Sequence, residues 1–205
     1  MKKRLLLFLC IFTLLLSTAA QAEGVTADVP APAPSAEKAD TLSPFARTRS
    51  YDGRFTDVDA SAWYHDAVAA LYEYGLTEGV SSSAYAPEGS VTIAELVTFA
   101  ARLHALERGA AIPAAAAGEA WYRPYVRYLK AEKCLGDELD GHYPETATRA
   151  QTAGVLAPAL STECYDERNA EAVTVGYASH RRITDVDDYT PYQSDILRLY
   201  KWGIV

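Results

Sequence analysis

The sequence predicts an all-α fold built from tandem helix-loop-helix units that stack on one another. Three observations support this. Apolar residues recur at helical spacing, two capping boxes mark helix starts, and a related pattern returns along the 205 residues. A single hairpin of this kind cannot bury its apolar face alone, so we expect neighbouring units to share one core.

The first unit spans residues 55–108, and its first helix is indicated by one apolar face. The residues of this face lie 3, 4, 7 and 8 positions after the first of them, in the order Tyr64, Ala67, Val68, Leu71 and Tyr72. We expect Ser61 to cap the start of this helix and Gly75, in a left-handed conformation, to end it.

The second helix of the unit follows a polar loop, residues 78–90, that contains glycine and proline breakers. Thr92 and Glu95 form the pattern of a capping box, in which each side chain accepts a hydrogen bond from the other residue's backbone amide. The second unit repeats the box with Thr148 and Gln151. Both units are therefore expected to contain two helices.

Internal repeats define the organisation of the chain. Residues 55–77 align without gaps to 183–205, and eight of these 23 positions are identical, where ordinary composition gives roughly one or two. A middle copy matches residues 62–64 to 120–122. We predict repeats at 55–108, 109–164 and 183–205, with a connector at 165–182. The third repeat is partial, because it reaches only its first helix.

The N-terminal region is expected to be a signal peptide followed by a linker. Residues 1–22 combine a basic start, an apolar run of 12 residues and a small-x-small cleavage site at Ala20–Ala22. Residues 23–54 are rich in Ala and Pro and too poor in large apolar residues to form a core, so we expect an extended linker and ordered structure from about Phe55.

The charge balance excludes one broad class of function. The net charge is −8, and removal of the signal peptide would leave 16 Lys and Arg against 27 Asp and Glu. An acidic chain is poorly suited to nucleic acid, which is bound through Lys and Arg. No later stretch reaches the length of a transmembrane helix, so no membrane contact is expected after cleavage.

Two cysteines remain after cleavage, Cys134 and Cys164. An exported protein can form a disulfide, but two cysteines do not make a disulfide framework. Cys134 falls where an apolar residue is expected at a helix end. A buried free thiol is therefore the simpler interpretation, and pairing with Cys164 stays open.

No catalytic, metal or cofactor pattern is apparent. The four histidines lack metal-ligand spacing, and there is neither a nucleophile elbow nor a phosphate loop. The Asp-Val-Asp runs at Asp57 and Asp185 resemble a calcium loop, but Val68 and Ile196 occupy the positions where an acidic ligand would be needed. We expect no enzyme activity, no metal and no cofactor.

The motifs together resemble the S-layer homology family. They comprise Phe-x-Asp-Val, Trp-Tyr, Ala-Val-x-x-Leu-Tyr-x-x-Gly-Leu and Val-Thr-x-Ala-Glu, at 55–58, 63–64, 67–76 and 91–95. The likeness is strongest over 55–103, gapped over 119–157 and limited to the first helix over 183–205.

The resemblance implies a non-catalytic module that anchors proteins to bacterial cell envelopes. Three such motifs would form a pseudo-threefold spindle whose first helices make a central bundle, against which the helix of the third unit should dock. Its own second helix is absent, so part of its apolar stripe should stay exposed. Grooves between the motifs would bind a secondary cell-wall polymer attached to peptidoglycan, often through an acidic, pyruvylated sugar.

The family signature Thr-Arg-Ala-Glu contributes an Arg that contacts the ligand, and here only the second unit carries it. Thr148, Arg149 and Gln151 match the signature with Gln in place of Glu, whereas Ile93 replaces the Arg in the first unit. A cation is disfavoured at a helix N-terminus, where free amides attract anions. Arg149 is therefore expected to bind an acidic ligand. The alternative is an exposed Arg, or one paired with Asp137 or Glu145.

Other candidate contacts come from aromatic and acidic side chains. Trp63 and Trp121 each open a first helix and are expected either at a groove rim or in the core, with the Tyr residues that follow them packed inside. Asp57 and Asp185 are expected to hold local turns, with a contact to the polymer as the second interpretation.

The sequence thus predicts a secreted module that attaches a protein to a bacterial cell wall or S-layer. Two other interpretations remain open. The module would be the N-terminal anchor of an exported enzyme whose catalytic domain lies beyond residue 205, or of a protein that assembles into a surface lattice.

Overall fold

The computed structural model describes residues 46–161, 169, 183 and 185–205. Over these residues the chain forms five helices and no strands: α1 (His65–Glu73), α2 (Ile93–Arg108), α3 (Arg123–Ala131), α4 (Arg149–Ala159) and α5 (Gln193–Lys201). The α1–α2 and α3–α4 hairpins lie within the first two predicted repeats, and α5 lies within the third. The predicted all-α class is therefore confirmed for the described part of the chain.

Both predicted capping boxes are present. In α2, Thr92 Oγ1 accepts from the Glu95 amide at 3.3 Å and the Glu95 carboxylate accepts from the Thr92 amide at 2.8 Å. In α4, Thr148 and Gln151 make the same exchange at 3.2 Å and 2.8 Å. These contacts satisfy orphan donors and set where each second helix begins.

The start of α1 differs from the expectation, whereas its end agrees with it. Ser61 does not cap the helix, which begins at His65. Instead the Asp59 carboxylate accepts from the Ser61 amide at 2.7 Å and from its hydroxyl at 2.6 Å. This local turn occupies the Ser61 side chain before the helix starts. Gly75 ends the helix with a φ of +71°, the left-handed conformation that glycine adopts readily.

α2 lies at the centre of the described structure. Ten of its 16 residues are buried, and it packs against both α3 and α4, while α4 packs against α5. Direct contacts among α1, α3 and α5 are less extensive. The described helices therefore do not confirm the central bundle of first helices, because the closest packing involves α2 and α4, the second helices of the first two units.

Backbone hydrogen bonds join the first two units where their second helices begin. The Ala147 amide donates to Val91 O at 2.8 Å. The first two amides of α2, those of Ile93 and Ala94, donate to Glu145 O and Tyr143 O, each at 2.8 Å. The loop of the second unit thus closes the N-terminus of α2 and satisfies amides that lack partners within the helix.

α5 docks mainly on α4 rather than on α1 and α3. Leu199 and Ile204 are buried in the shared core, whereas Ile196 and Tyr200 of the same apolar stripe are only partly buried. Part of the stripe therefore stays accessible.

Packed structure begins before Phe55, so the expected linker boundary at residue 54 is too late. Residues 47–54, which we call the strap, cross the C-terminal end of α1. Arg49 donates from Nε to Tyr72 O at 2.7 Å, pairs with both oxygens of Glu78 at 2.8 Å and lies 3.8 Å from the Tyr72 ring centroid. Long Arg side chains and Tyr51 supply contacts that the low apolar content of this segment does not suggest.

The third unit shows the same type of contact. Asn169 donates to the carbonyl oxygens of Lys201 and Tyr200 at 3.0 Å and 2.8 Å. These two carbonyls correspond to those of Glu73 and Tyr72, which accept from Thr48 and Arg49. In both units, an upstream segment satisfies the free carbonyls at the end of the first helix.

Cys134 is a buried free thiol, and burial raises its pKa. Cys164 lies outside the described residues. None of the described helices has the length and apolar character needed to cross a membrane.

Candidate functional site

The start of α4 and the third unit enclose a cavity of about 380 Å³, which we call groove A. The α4 side contributes Arg149, Ala150 and Ala153, and the other side contributes residues that include Asp185, Thr190, Ile196 and Tyr200. The fold thus brings together two sequence-predicted site residues, Arg149 and Asp185, that are 36 positions apart.

Arg149 is the first residue of α4, and its side chain is exposed. It makes no ion pair with any residue the structure describes. The two acids considered as partners are engaged elsewhere: Asp137 binds Lys130 at 2.6 Å, and Glu145 lies 2.7 Å from the His142 ring. No acid in the described part of the chain therefore competes with a ligand for the Arg149 guanidinium.

The backbone at the start of α4 differs from that at the start of α2. Across the described ranges, no acceptor faces the amides of Arg149 and Ala150, whereas the corresponding amides of Ile93 and Ala94 are bonded to the second unit. Free amides at a helix N-terminus carry partial positive charge and suit an anion. Groove A therefore combines these amides with a guanidinium.

Thr148 and Gln151 do not line groove A. Their side chains are committed to the capping box, so they fix the helix start that presents Arg149. Ile93, at the Arg position of the first unit, is fully buried and its amide donates to Glu145 O. The first unit consequently lacks the cation and the open helix end found in the second.

The opposite side of groove A is acidic and partly apolar. Asp185 supplies a carboxylate that can accept hydrogen bonds from hydroxyl groups, and Ile196 and Tyr200 supply apolar surface. Such a groove suits a ligand with one acidic group, several hydroxyls and an apolar face. The helical spacing of Ile196 and Tyr200 predicted a core stripe and gave no sign that they would line a groove.

A second cavity of about 430 Å³, groove B, lies between the first unit and the start of the second. It is lined by the loop after α1, by one face of α2 and by Trp121. Arg102 borders it and donates to Leu76 O at 3.3 Å and to the Tyr125 hydroxyl at 3.2 Å. Thr98 also lines groove B, and its buried hydroxyl has no described hydrogen-bond partner. Apart from their positions on a predicted helix, nothing in the sequence marked Arg102 or Thr98 as groove residues.

The two tryptophans that were predicted as site residues have the same local geometry but different surroundings. Trp63 and Trp121 are 64% and 52% exposed, and each stands edge-on to the Tyr that follows it, with ring centroids 5.4 Å and 5.6 Å apart. Trp121 borders groove B, whereas Trp63 borders neither groove A nor groove B.

Asp57 holds a loop of the first unit. Its carboxylate accepts from the Tyr85 amide at 2.9 Å and from the Ala86 amide at 2.7 Å. Desolvation alone would raise the pKa of this carboxyl, but the backbone hydrogen bonds outweigh it and the pKa lies below its usual value. These contacts support the interpretation of Asp57 as a turn-holding residue.

No group of three or more potential metal ligands occurs among the residues that the structure describes. The side chains that line the two grooves offer hydrogen bonding, charge pairing and aromatic contact.

Comparison with known proteins identifies the first unit. Residues 54–97 match the S-layer homology domain family. A 44-residue segment is 50% identical to the surface-layer 125 kDa protein of Lysinibacillus sphaericus, covering 22% of this chain and 4% of that protein. No solved structure matches the chain. The resemblance noted from the sequence is thus confirmed over α1 and the beginning of α2.

Proposed function

We propose that this chain is a non-catalytic module that anchors a secreted protein to a bacterial cell wall by binding its secondary cell-wall polymer. The match of residues 54–97 to the S-layer homology domain and the similarity to a bacterial surface-layer protein indicate a secreted cell-surface protein. The choice of polymer as the ligand is supported by groove A.

The observation that carries this proposal is the availability of Arg149. A guanidinium beside two open amides forms a site for a carboxylate. The chain as a whole is acidic, with a net charge of −8, so long-range attraction does not favour a polyanion. Recognition of an acidic sugar therefore depends on this local cluster of donors, which favours a defined residue such as a pyruvylated sugar over general polyanion binding.

The remaining features of groove A suit a carbohydrate. Asp185 can accept hydrogen bonds from sugar hydroxyls, and the Tyr200 ring can pack against the apolar face of a sugar. Groove B adds Trp121 as a second aromatic surface. A polymer offers many copies of its sugar, so two modest sites on one chain would bind it more tightly than either alone.

Binding to purified peptidoglycan sacculi tests the proposal. The chain should pellet with sacculi that retain their secondary polymer and remain in the supernatant after the polymer has been stripped. Equal pelleting with both preparations would contradict polymer recognition and would indicate binding to peptidoglycan itself.

A further inference from the structure

His104 is a buried histidine at the contact between the first and second units. It is 3% exposed and lies on α2, facing α3. Its Nδ1 is 2.9 Å from the Tyr128 hydroxyl, and its Nε2 is 2.9 Å from Arg108 Nε. Both ring nitrogens are therefore hydrogen-bonded, one of them across the interface between units.

The partner of Nε2 determines where the proton of the ring resides. A guanidinium can only donate, so Nε2 must offer its lone pair to Arg108. The neutral ring then carries its proton on Nδ1, which donates to the Tyr128 oxygen. An imidazolium has no lone pair and cannot accept from Arg108, so the observed arrangement requires a neutral His104.

The surroundings of His104 oppose its protonation. Desolvation and the Arg108 charge both lower the pKa of this histidine, while Glu132, just after α3, acts in the opposite direction and does not outweigh them. Tyr128 and Cys134 also lie in this cluster, and burial raises the pKa of both. Neither is ionised near neutral pH.

We propose that the His104 contact is an acid-sensitive connection between the first and second units. A proton taken up on Nε2 removes the hydrogen bond from Arg108, places two cations side by side and leaves a charge in a buried site. The response that relieves this cost is separation of α3 from α2 around Tyr128.

Groove B lies on the same contact between helices. Trp121 lies two residues before the start of α3. Tyr125 of α3 accepts from Arg102 of α2 at 3.2 Å. Separation of the two helices would therefore change the position of Trp121 relative to the first unit. Acidification would act on groove B through the fold, without titrating a residue of the groove.

The direction of the pH dependence follows from linkage. Because the pKa of His104 is lower in the folded chain, the unfolded state binds more protons, and stability rises with pH. The contribution of neutral His104 to the free energy of unfolding is complete above the pKa of an unfolded histidine, about 6.5. It is lost as the pH falls below that value. In that range the unfolding constant should rise by up to about tenfold per pH unit.

Two matched variants test the connection. His104→Gln retains an acceptor for Arg108 and a donor for Tyr128 but does not titrate, while His142→Gln removes an exposed histidine. Between pH 7.5 and 5.5, wild type and His142→Gln should lose stability together, and amides of α3 should lose hydrogen-exchange protection. His104→Gln should lose markedly less stability and markedly less hydrogen-exchange protection. An equal loss in His104→Gln would overturn the proposal.

Direct titration of wild type by NMR provides the second measurement and does not depend on how well a variant folds. The His104 ring should protonate at a lower pH in the folded chain than in the same chain unfolded in denaturant. A folded-state midpoint at or above the unfolded one would show that the buried contact does not resist protonation, and would overturn the proposal even if His104→Gln fails to fold.

Discussion

The ring of Tyr192 lies directly against Gly154, at the point where the start of α5 meets α4. A Cβ atom added to Gly154 would come within 2.6 Å of three atoms of that ring, Cγ, Cδ1 and Cε1. Because Cγ is held close to the backbone of Tyr192, the ring cannot simply rotate away. The absence of a side chain at Gly154 therefore allows the third unit to dock closely on the second.

Gly154→Ala should destabilise the chain by about 1–3 kcal/mol, the usual cost of overpacking. This loss should appear although Ala is the better helix former by about 0.5–1 kcal/mol. In a Tyr192→Ala background the same substitution should be neutral or stabilising. Denaturant unfolding of the four chains completes the cycle. An identical effect of Gly154→Ala in both backgrounds would show that the Tyr192 ring does not cause the cost of adding a side chain at Gly154.

Asp57→Ala should lower the free energy of unfolding by about 1 kcal/mol, because two hydrogen bonds to backbone amides are lost at an exposed site. Asp52→Ala, a change at another exposed acid five residues earlier, should have little effect on the free energy of unfolding. The pKa of Asp57 is lowered in the folded chain, so its contribution is present above the unfolded value of about 3.9 and is lost as the pH falls through the folded pKa.

The comparison of Asp57→Ala with wild type should therefore depend on pH. The difference in unfolding free energy should be full at pH 7 and should narrow towards pH 2. A difference that stays constant over this range would mean that the charge on Asp57 does not strengthen the contacts to Tyr85 and Ala86.

Arg49→Ala should destabilise the chain by about 1–3 kcal/mol, since it removes charged hydrogen bonds to two backbone carbonyls and Glu78 together with stacking on Tyr72. Arg47→Ala is the matched control, because Arg47 is largely exposed and makes a surface ion pair with Glu73 at 3.3 Å, which is worth less. Thermal melting of the two variants distinguishes them. A melting temperature of Arg49→Ala equal to that of wild type would contradict a structural role for Arg49 in the strap.

Trp121→Ala should weaken binding to polymer-bearing sacculi by about 1 kcal/mol or more, the order expected for an aromatic contact. Trp63→Ala serves as control, since both side chains are exposed and stand edge-on to the next Tyr. Equilibrium pelleting at several sacculus concentrations gives the two affinities. If both changes weakened sacculus binding equally, groove B would have no special role in polymer binding.

Much of the local structure could be predicted from the sequence. The capping boxes at Thr92 and Thr148 and the left-handed end at Gly75 depend on contacts within a few residues, and the sequence contains all of the groups involved. The start of α1 was predicted wrongly because Asp59 and Ser61 are both able to make local turns, and sequence alone does not decide between them.

The arrangement of the units was harder to predict. α2 is buried on nearly all sides, and its apolar residues are spread around the helix, which is the pattern of a central helix. That pattern is present in the sequence, but the repeated motifs are strongest in the first helix of each unit and therefore pointed to a bundle of first helices. Arg149 and Asp185 line the same groove only because α5 docks on α4. No local sequence pattern specifies how these two helices dock.

The central claim is that Arg149 forms part of a site for an acidic cell-wall glycan. The most direct measurement is the affinity of Arg149→Ala for sacculi that retain the secondary polymer, compared with Arg123→Ala, a change at another exposed Arg without a described ion pair. Loss of a charged hydrogen bond costs about 1.5–3 kcal/mol, so Arg149→Ala should bind at least tenfold more weakly with an unchanged melting temperature. Arg123→Ala should bind like wild type. If Arg149→Ala folds normally and keeps its full affinity, groove A is not the polymer site.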